Sequence, residues 1–224
     1  MAISTIDGSQ RKAARVVGWV YLLVIPLAVF AEAAATARNL TAYERLFRLG
    51  TASNLAAFAL DVILITALYV VLKPVNRNLA LLGAFWGLIE TAILVVATLS
   101  DLEALRVLSG ADYLRAFEAD RLQALARLSL GAHGVAYHVG LVFAGLRSSV
   151  SCYLWFKSNF VPRTLAGWGV FSSLLLATCT YAFIIFPELQ KVVTVGYYGG
   201  PIFVFELTMG FWLVLKELRQ PEAA

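Results

Sequence analysis

The charged residues of this chain are spaced so widely that long stretches contain almost none. Residues 164–187 contain no Asp, Glu, Lys or Arg, and 49–72, 78–100 and 195–215 contain one each. A helix needs about 20 predominantly apolar residues to cross the hydrocarbon core of a bilayer. These runs therefore predict membrane-spanning helices. The composition agrees, since 60% of the residues are hydrophobic and the mean hydropathy is +0.78.

This pattern excludes several classes of protein. A soluble enzyme of this size cannot hide so much apolar surface, and a disordered chain or a small disulfide-stapled module has a different composition. A membrane barrel is disfavoured because its strands alternate in polarity over segments of about 10 residues, whereas the apolar runs here are continuous. Nucleic acid is not an expected partner, despite an isoelectric point near 9.2. The partner that the sequence predicts is the lipid bilayer.

We predict an all-α fold, a polytopic membrane helix bundle that forms a single integral membrane domain over residues 1–224. Six transmembrane helices are expected at about 16–37, 50–73, 78–100, 132–156, 164–186 and 195–215. Thr41 and Glu44 stand at the spacing of a capping box, which predicts that the second helix begins near residue 42.

Residues 101–130 form the longest segment outside the predicted spans. Its apolar side chains fall on one helical stripe: Leu114, Phe117, Leu122, Leu125 and Leu128. The stripe predicts an extracytoplasmic amphipathic helix that lies on the membrane surface. An N-terminal extension of the fourth span is the alternative interpretation.

The distribution of basic residues predicts the orientation of the chain. Six spans place both termini on one side of the membrane. The helix ends and loops on that side carry Arg11, Lys12, Arg15, Lys73, Arg77, Lys157, Arg163, Lys216 and Arg219, with few acids. On the other side, basic residues are offset by acids. The positive-inside rule therefore predicts that both termini are cytoplasmic.

Four ionisable residues inside the spans are expected at similar depths. Asp61 and Glu90 each lie about 18 Å from the basic end of their helix, and Arg147 and Glu206 about 15 Å from theirs. Ionisable groups are costly in hydrocarbon and normally face a protein interior or a water-filled cavity. We therefore predict that these four side chains converge on a ligand- or ion-binding site at the midplane. Asn54 is expected to join them, because it lies one heptad from Asp61 on the same helix face.

A second set of polar residues is expected nearer the outside, as a vestibule that opens outward. Counted from the basic helix ends, Glu32 lies at about 25 Å and His138 at about 28 Å. The predicted outer vestibule consists of Glu32, Arg45, Arg48, His133 and His138.

The charges of the midplane set do not balance, because three carboxylates accompany one guanidinium. If Arg147 neutralises one acid, two negative charges remain, and these favour a bound proton or cation. The alternative is purely structural: Arg147 pairs with one or two of the acids, and the others are protonated contacts between helices.

No catalytic residue or cofactor is assigned by the sequence. His133 and His138 are five residues apart, about 140° around a helix, so they do not share a ligand face, and we expect no metal site. The serines lie in predicted helices without a nucleophile-elbow motif. Whether the protein is an enzyme stays open.

Residues 45–94 carry a resemblance to a known family. The runs Leu46–Gly50, Ala59–Val62 and, above all, Leu72-Lys73-Pro74-Val75-Asn76 resemble a family of bacterial six-helix membrane proteins catalogued only as a domain of unknown function. The likeness continues more loosely through 117–120 and 140–143 to 165–167. The resemblance implies a bacterial inner-membrane protein and assigns no activity. It also implies acids near positions 54 and 138 and a basic residue near 87, where this chain has Asn54, His138 and Gly87.

Three functions are compatible with these features. The favoured hypothesis is an integral inner-membrane protein that binds or transports a small ligand, a proton or a cation at the midplane. One alternative is an intramembrane lipid-modifying enzyme, possibly metal-dependent. The other is a non-catalytic accessory subunit that packs beside another membrane protein, its acids serving as contacts between helices.

Overall fold

The protein is described by a computed structural model over residues 6–35, 44–109, 111–216 and 218–219, without the side chains of Ala35 and Tyr113. The long helices are α1 (Gly8–Ala35), α2 (Glu44–Leu72), α3 (Arg77–Val107), α4 (Ala119–Ser158), α5 (Arg163–Ile185) and α7 (Gly200–Leu215). Shorter elements are the 3₁₀ helices Asp112–Leu114 and Pro187–Lys191 and the single turn α6 (Val195–Tyr198). Thr41 and the end of the first predicted span lie outside the described residues.

Within the described ranges, the helices α1 to α5 are long and apolar enough to cross a membrane. This confirms the all-α, membrane-type fold. The sixth predicted span is shorter than expected, because α6 and α7 divide it. Pro201 stands in the first turn of α7, where its missing N–H and fixed φ favour the start of a new helix. The count of six spans is therefore not confirmed.

The six long helices form a closed ring. Each packs against its neighbour in chain order from α1 to α5, and α7 lies between α5 and α1. Buried apolar side chains fill the interior, among them Val17, Leu64 and Phe205. Large apolar side chains also cover the outside, where Val29, Leu99 and Ile185 are about 60% exposed. A soluble protein rarely presents such a surface, whereas a bilayer covers it.

The start of α1 and the connection between α2 and α3 both carry basic residues and lie together. Residues 73–76 join α2 to α3 as a tight hairpin, and Asn76 caps α3 by accepting from the Leu79 amide at 3.0 Å. We call this side of the ring the hairpin end. Gln10, in the first turn of α1, donates to the Val71 carbonyl at 3.2 Å, which brings the start of α1 to the same end.

The outer segment differs from the main prediction. α4 runs without interruption for 40 residues from Ala119, so the second part of the stripe extends the fourth span. The alternative interpretation is thus the one that the structure contains, and the separate surface helix is not confirmed. Leu114, in the preceding 3₁₀ helix, is buried, whereas Phe117, Leu125 and Leu128 are exposed. Periodicity alone did not distinguish the two arrangements, since both place the same residues on one face.

Candidate functional site

Arg147 of α4 and Glu90 of α3 form a buried ion pair inside the bundle. Arg147 Nε donates to Glu90 Oε2 at 2.6 Å, and Nη2 donates to Oε1 at 3.2 Å. The residues are 7% and 5% exposed. A planar guanidinium that meets both carboxylate oxygens gives the most specific geometry available to such a pair. Of the three acids expected at the midplane, Glu90 is the one that pairs with Arg147.

The packing of α3 against α4 brings Arg147 and Glu90 together. Gly83 lies beside Ser151, Gly87 beside Arg147, and Gly140 beside Leu94, so the two helices run antiparallel in one register. Buried residues on each helix alternate at intervals of three and four: Gly83, Gly87, Glu90, Leu94, Ala97 and Asp101 on α3, and Gly140, Ala144, Arg147 and Ser151 on α4. Such spacing keeps one face towards a partner helix over several turns.

Gly87 is the residue that makes room for Arg147. A Cβ atom at position 87 would lie 2.5 Å from Arg147 Cδ and 2.8 Å from two side-chain carbons of Ile65. Contacts this short do not occur in packed interiors. The absence of a side chain at position 87 therefore lets the arginine cross from α4 to Glu90.

Asp61 of α2 and Glu206 of α7 lie within electrostatic range of the pair. Each interacts with Arg147 and with Glu90, and Glu206 also interacts with Asp61. Both are partly buried on the inward stripes of their helices, Asp61 between Phe58 and Ile65. Asn54 is partly buried on the same face of α2. The structure thus brings all four charged residues of the predicted set towards one interior, while their role in binding stays a prediction.

The carboxylates of Asp61 and Glu206 have no direct partner among the described residues. In that part of the chain, neither makes a hydrogen bond or an ion pair. The sealed side-chain nitrogen and oxygen atoms without a partner there are the indole nitrogens of Trp155 and Trp212. Because Asp61 and Glu206 are half-buried and are not among these residues, their carboxylate oxygens keep some accessible surface.

Tyr21 of α1 belongs to the same group but was not predicted. It is 5% exposed and interacts electrostatically with Glu206, Arg147 and Asp61. A charged residue stands out in an apolar span, whereas an uncharged phenol does not. The feature that could have identified Tyr21 is its position on the buried face of α1, one turn after the buried Val17.

The residues of the predicted outer vestibule are spread over separate contacts. Arg48 pairs with Glu44 one turn earlier at 2.7 Å, both being exposed, and Arg45 and Glu32 are also exposed. His138 Nδ1 lies 2.8 Å from the Gly134 carbonyl of its own helix, and its ring meets Phe183 edge to face. A shared vestibule stays a prediction.

His133 has a partner, Asp101, that the sequence did not identify. Its Nδ1 lies 3.0 Å from Asp101 Oδ2 and 3.2 Å from the Ala97 carbonyl, and its ring stacks on Tyr137. Asp101 follows Glu90 by three helical turns, and His133 precedes Arg147 by about four, so both pairs lie on the α3–α4 seam. This spacing was the signal that could have identified Asp101.

The two cysteines, which are the other potentially reactive side chains, belong to the packed interior. Cys152 and Cys179 are free. Cys152 is sealed between α4 and α5 with Ser148 and Ser173, whose hydroxyls are 2.8 Å apart. Among the described residues, no group of three or more His, Cys, Asp or Glu side chains could hold a metal ion.

The fold and the buried ion pair together define a membrane-type helix bundle with a charged interior. The chain belongs to the family described as Domain of unknown function (DUF4386), whose model matches residues 15–216. This confirms the resemblance seen in the sequence. Neither a curated protein nor a solved structure matches the chain.

Proposed function

We propose that this chain is a multi-pass protein of the bacterial inner membrane, with one integral domain over residues 1–224 and both termini in the cytoplasm. The basic residues gathered at the hairpin end support this orientation, because cytoplasmic ends of membrane helices are enriched in Lys and Arg. α6 and α7 together provide the sixth crossing. The first turns of α4, from Ala119, extend beyond the membrane on the opposite side.

Within this domain, the midplane acids accept a proton or a small cation, which the protein binds or transports. The observation that supports this proposal is a difference in the contacts of the three acids. Glu90 is neutralised by a two-point contact with Arg147, whereas Asp61 and Glu206 keep accessible carboxylate oxygens that have no hydrogen-bond partner in the described ranges. Two ionised carboxylates left in an apolar interior are costly, so each favours a proton or a bound cation.

The two acids are also placed to respond to each other. α2 and α7 lie on opposite sides of α1 in the ring, and Asp61 and Glu206 interact across the interior. Removal of a proton from one makes ionisation of the other less favourable, so the acids titrate as a unit rather than singly. Tyr21 of α1 lies in electrostatic range of both and can donate a hydrogen bond to the ionised form. The enzyme and accessory-subunit alternatives stay predictions.

A flux assay tests this function. The purified protein is reconstituted in vesicles that contain a pH-sensitive dye, and gradients of Na⁺, K⁺ or Li⁺ are imposed across the membrane. We expect a dye response in the wild type and its loss in Asp61→Asn and Glu206→Gln. Glu188→Gln is the matched control, since Glu188 is an exposed acid that pairs with Lys191 at 2.9 Å. A response that survives in the Asp61→Asn, Glu206→Gln double variant would contradict the proposal.

A further inference from the structure

A small cavity lies directly under Arg147, on the side of the hairpin end. It lies between α2, α3 and α4 and is partly open, and its lining includes Tyr69, Leu72, Ala80, Gly83, Arg147 and Ser151. Its volume is about 10 Å³, the space that the centre of one water molecule needs. Leu72 and Ala80 flank the 73–76 connection, so the cavity extends from the ion pair towards the hairpin end.

Two polar atoms face this cavity without a protein partner. Arg147 gives Nε and Nη2 to Glu90, which leaves Nη1 without a hydrogen bond in the described part of the chain. Ser151 Oγ likewise makes none there, although Ser151 is 7% exposed. Neither atom is among the sealed, unpartnered atoms of the described residues, so both keep some accessible surface, and both belong to residues that line the cavity. A guanidinium N–H and a hydroxyl that converge on such a space are the partners that a buried water requires.

Gly83 keeps the cavity open. A Cβ atom at this position would have its nearest neighbour at 3.6 Å, in Val150, and Ser151 Oγ at 3.8 Å. These are ordinary contact distances, unlike the clash at Gly87. The space beside Gly83 is thus free volume that a larger side chain would occupy.

Tyr69 lies at the end of the cavity nearer the hairpin. It is partly buried, and Lys73 Nζ lies 5.9 Å from the centre of its ring. A cation at this distance from an aromatic face is attracted to it. Lys73 is exposed, so the aromatic wall of the cavity adjoins the aqueous side of the hairpin end.

We propose that this cavity is a water site that connects the Arg147–Glu90 pair to the aqueous phase at the hairpin end. Its ligand is a single water molecule, for which the guanidinium and the hydroxyl supply hydrogen-bond partners. This inference rests on the proposed function for its purpose: water at this site lets protons reach the midplane acids from the hairpin end. The direction is opposite to that of the vestibule expected from the sequence.

Cysteine accessibility tests the site. In the full chain with Cys152→Ala and Cys179→Ala, Ser151→Cys is exposed to Ag⁺ from one side of sealed vesicles, and free thiol is then measured after denaturation. Arg77→Cys, at the exposed start of α3, identifies the hairpin side with an impermeant maleimide. Ser173→Cys is the matched control, because Ser173 is fully buried and bonded to Ser148.

We expect Ag⁺ added at the hairpin side to react about tenfold faster with Ser151→Cys than with Ser173→Cys, since thiol reactivity follows exposure. Adding Gly83→Val should slow the reaction severalfold by filling the cavity. Ala84→Cys, on the cavity wall, is the second reporter if Ser151→Cys does not fold. Equal rates at the cavity and control positions, or reaction only from the opposite side, overturn the site.

The outcome is separable from that of the flux assay, because the thiol reaction needs no proton on Asp61 or Glu206. Labelling from the hairpin side in a protein without flux would leave the water site standing and contradict transport by the midplane acids. Flux without labelling would overturn the water site alone.

Discussion

Arg147 and Glu90 meet through two hydrogen bonds, from Nε at 2.6 Å and from Nη2 at 3.2 Å, in the interior of the helix ring. The pair cancels two of the four charges expected at the midplane. What remains is a pair of acids, Asp61 and Glu206, beside a neutral ion pair. The proposed binding of a proton or cation therefore concerns these two acids and not the ion pair.

Replacing Arg147 alone should be strongly destabilising. Arg147→Met leaves Glu90 as an uncompensated buried charge, and we expect a loss of about 3–5 kcal/mol in the free energy of unfolding. The Arg147→Met, Glu90→Met double variant should recover most of this loss, because it removes both charges. Thermal unfolding in detergent measures the effect. Lys191→Met, which breaks the exposed pair with Glu188, is the control and should change little. A single variant as stable as this control would contradict the account of the pair.

Two glycines on α3 should respond oppositely to the same substitution. Gly87→Ala places a Cβ atom 2.5 Å from Arg147 Cδ, so we expect a loss of about 1–3 kcal/mol from overpacking. Gly83→Ala meets its nearest atom at 3.6 Å and should be neutral, or more stable by up to about 1 kcal/mol through helix propensity. Unfolding measurements on the two variants compare them directly. Equal effects on the free energy of unfolding would show that the position of the Arg147 side chain does not depend on Gly87.

His133 and Asp101, which also meet between α3 and α4, should be energetically coupled. We expect a double-mutant cycle of His133→Ala and Asp101→Ala to give a coupling of about 1 kcal/mol, since the two side chains are 3.0 Å apart. The corresponding cycle of His138 with Asp101 is the control, because His138 bonds to the Gly134 carbonyl of its own helix. The result that argues against the pair is an additive cycle for His133.

The ion pair could be predicted because helix length converts sequence position into depth. Counting from the basic helix ends placed Arg147 and Glu90 at similar levels before any contact was known. The choice of Glu90 over Asp61 or Glu206 could not be predicted, since it depends on which helices are neighbours. It also depends on Gly87, whose missing side chain admits the arginine.

The errors have similar physical causes. The apolar stripe from Leu114 to Leu128 is equally consistent with a separate helix and with the extension of α4 that is found. Tyr21 is uncharged, so a search for charges in hydrocarbon did not reveal it. Asp101 lies just beyond the third predicted span, and its partner His133 lies on another helix, far away in sequence, so the sequence did not identify their contact.

Infrared difference spectroscopy of the reconstituted protein tests whether Asp61 and Glu206, rather than Glu90, hold a proton or cation. A protonated carboxylic acid has a carbonyl band that a carboxylate lacks. We expect such a band near neutral pH, or its replacement by a stoichiometrically bound cation, with loss of the signal in Asp61→Asn and Glu206→Gln and persistence in Glu188→Gln. A wild-type protein with neither the band nor a bound cation, or a band that survives in the Asp61→Asn, Glu206→Gln double variant, would contradict this expectation.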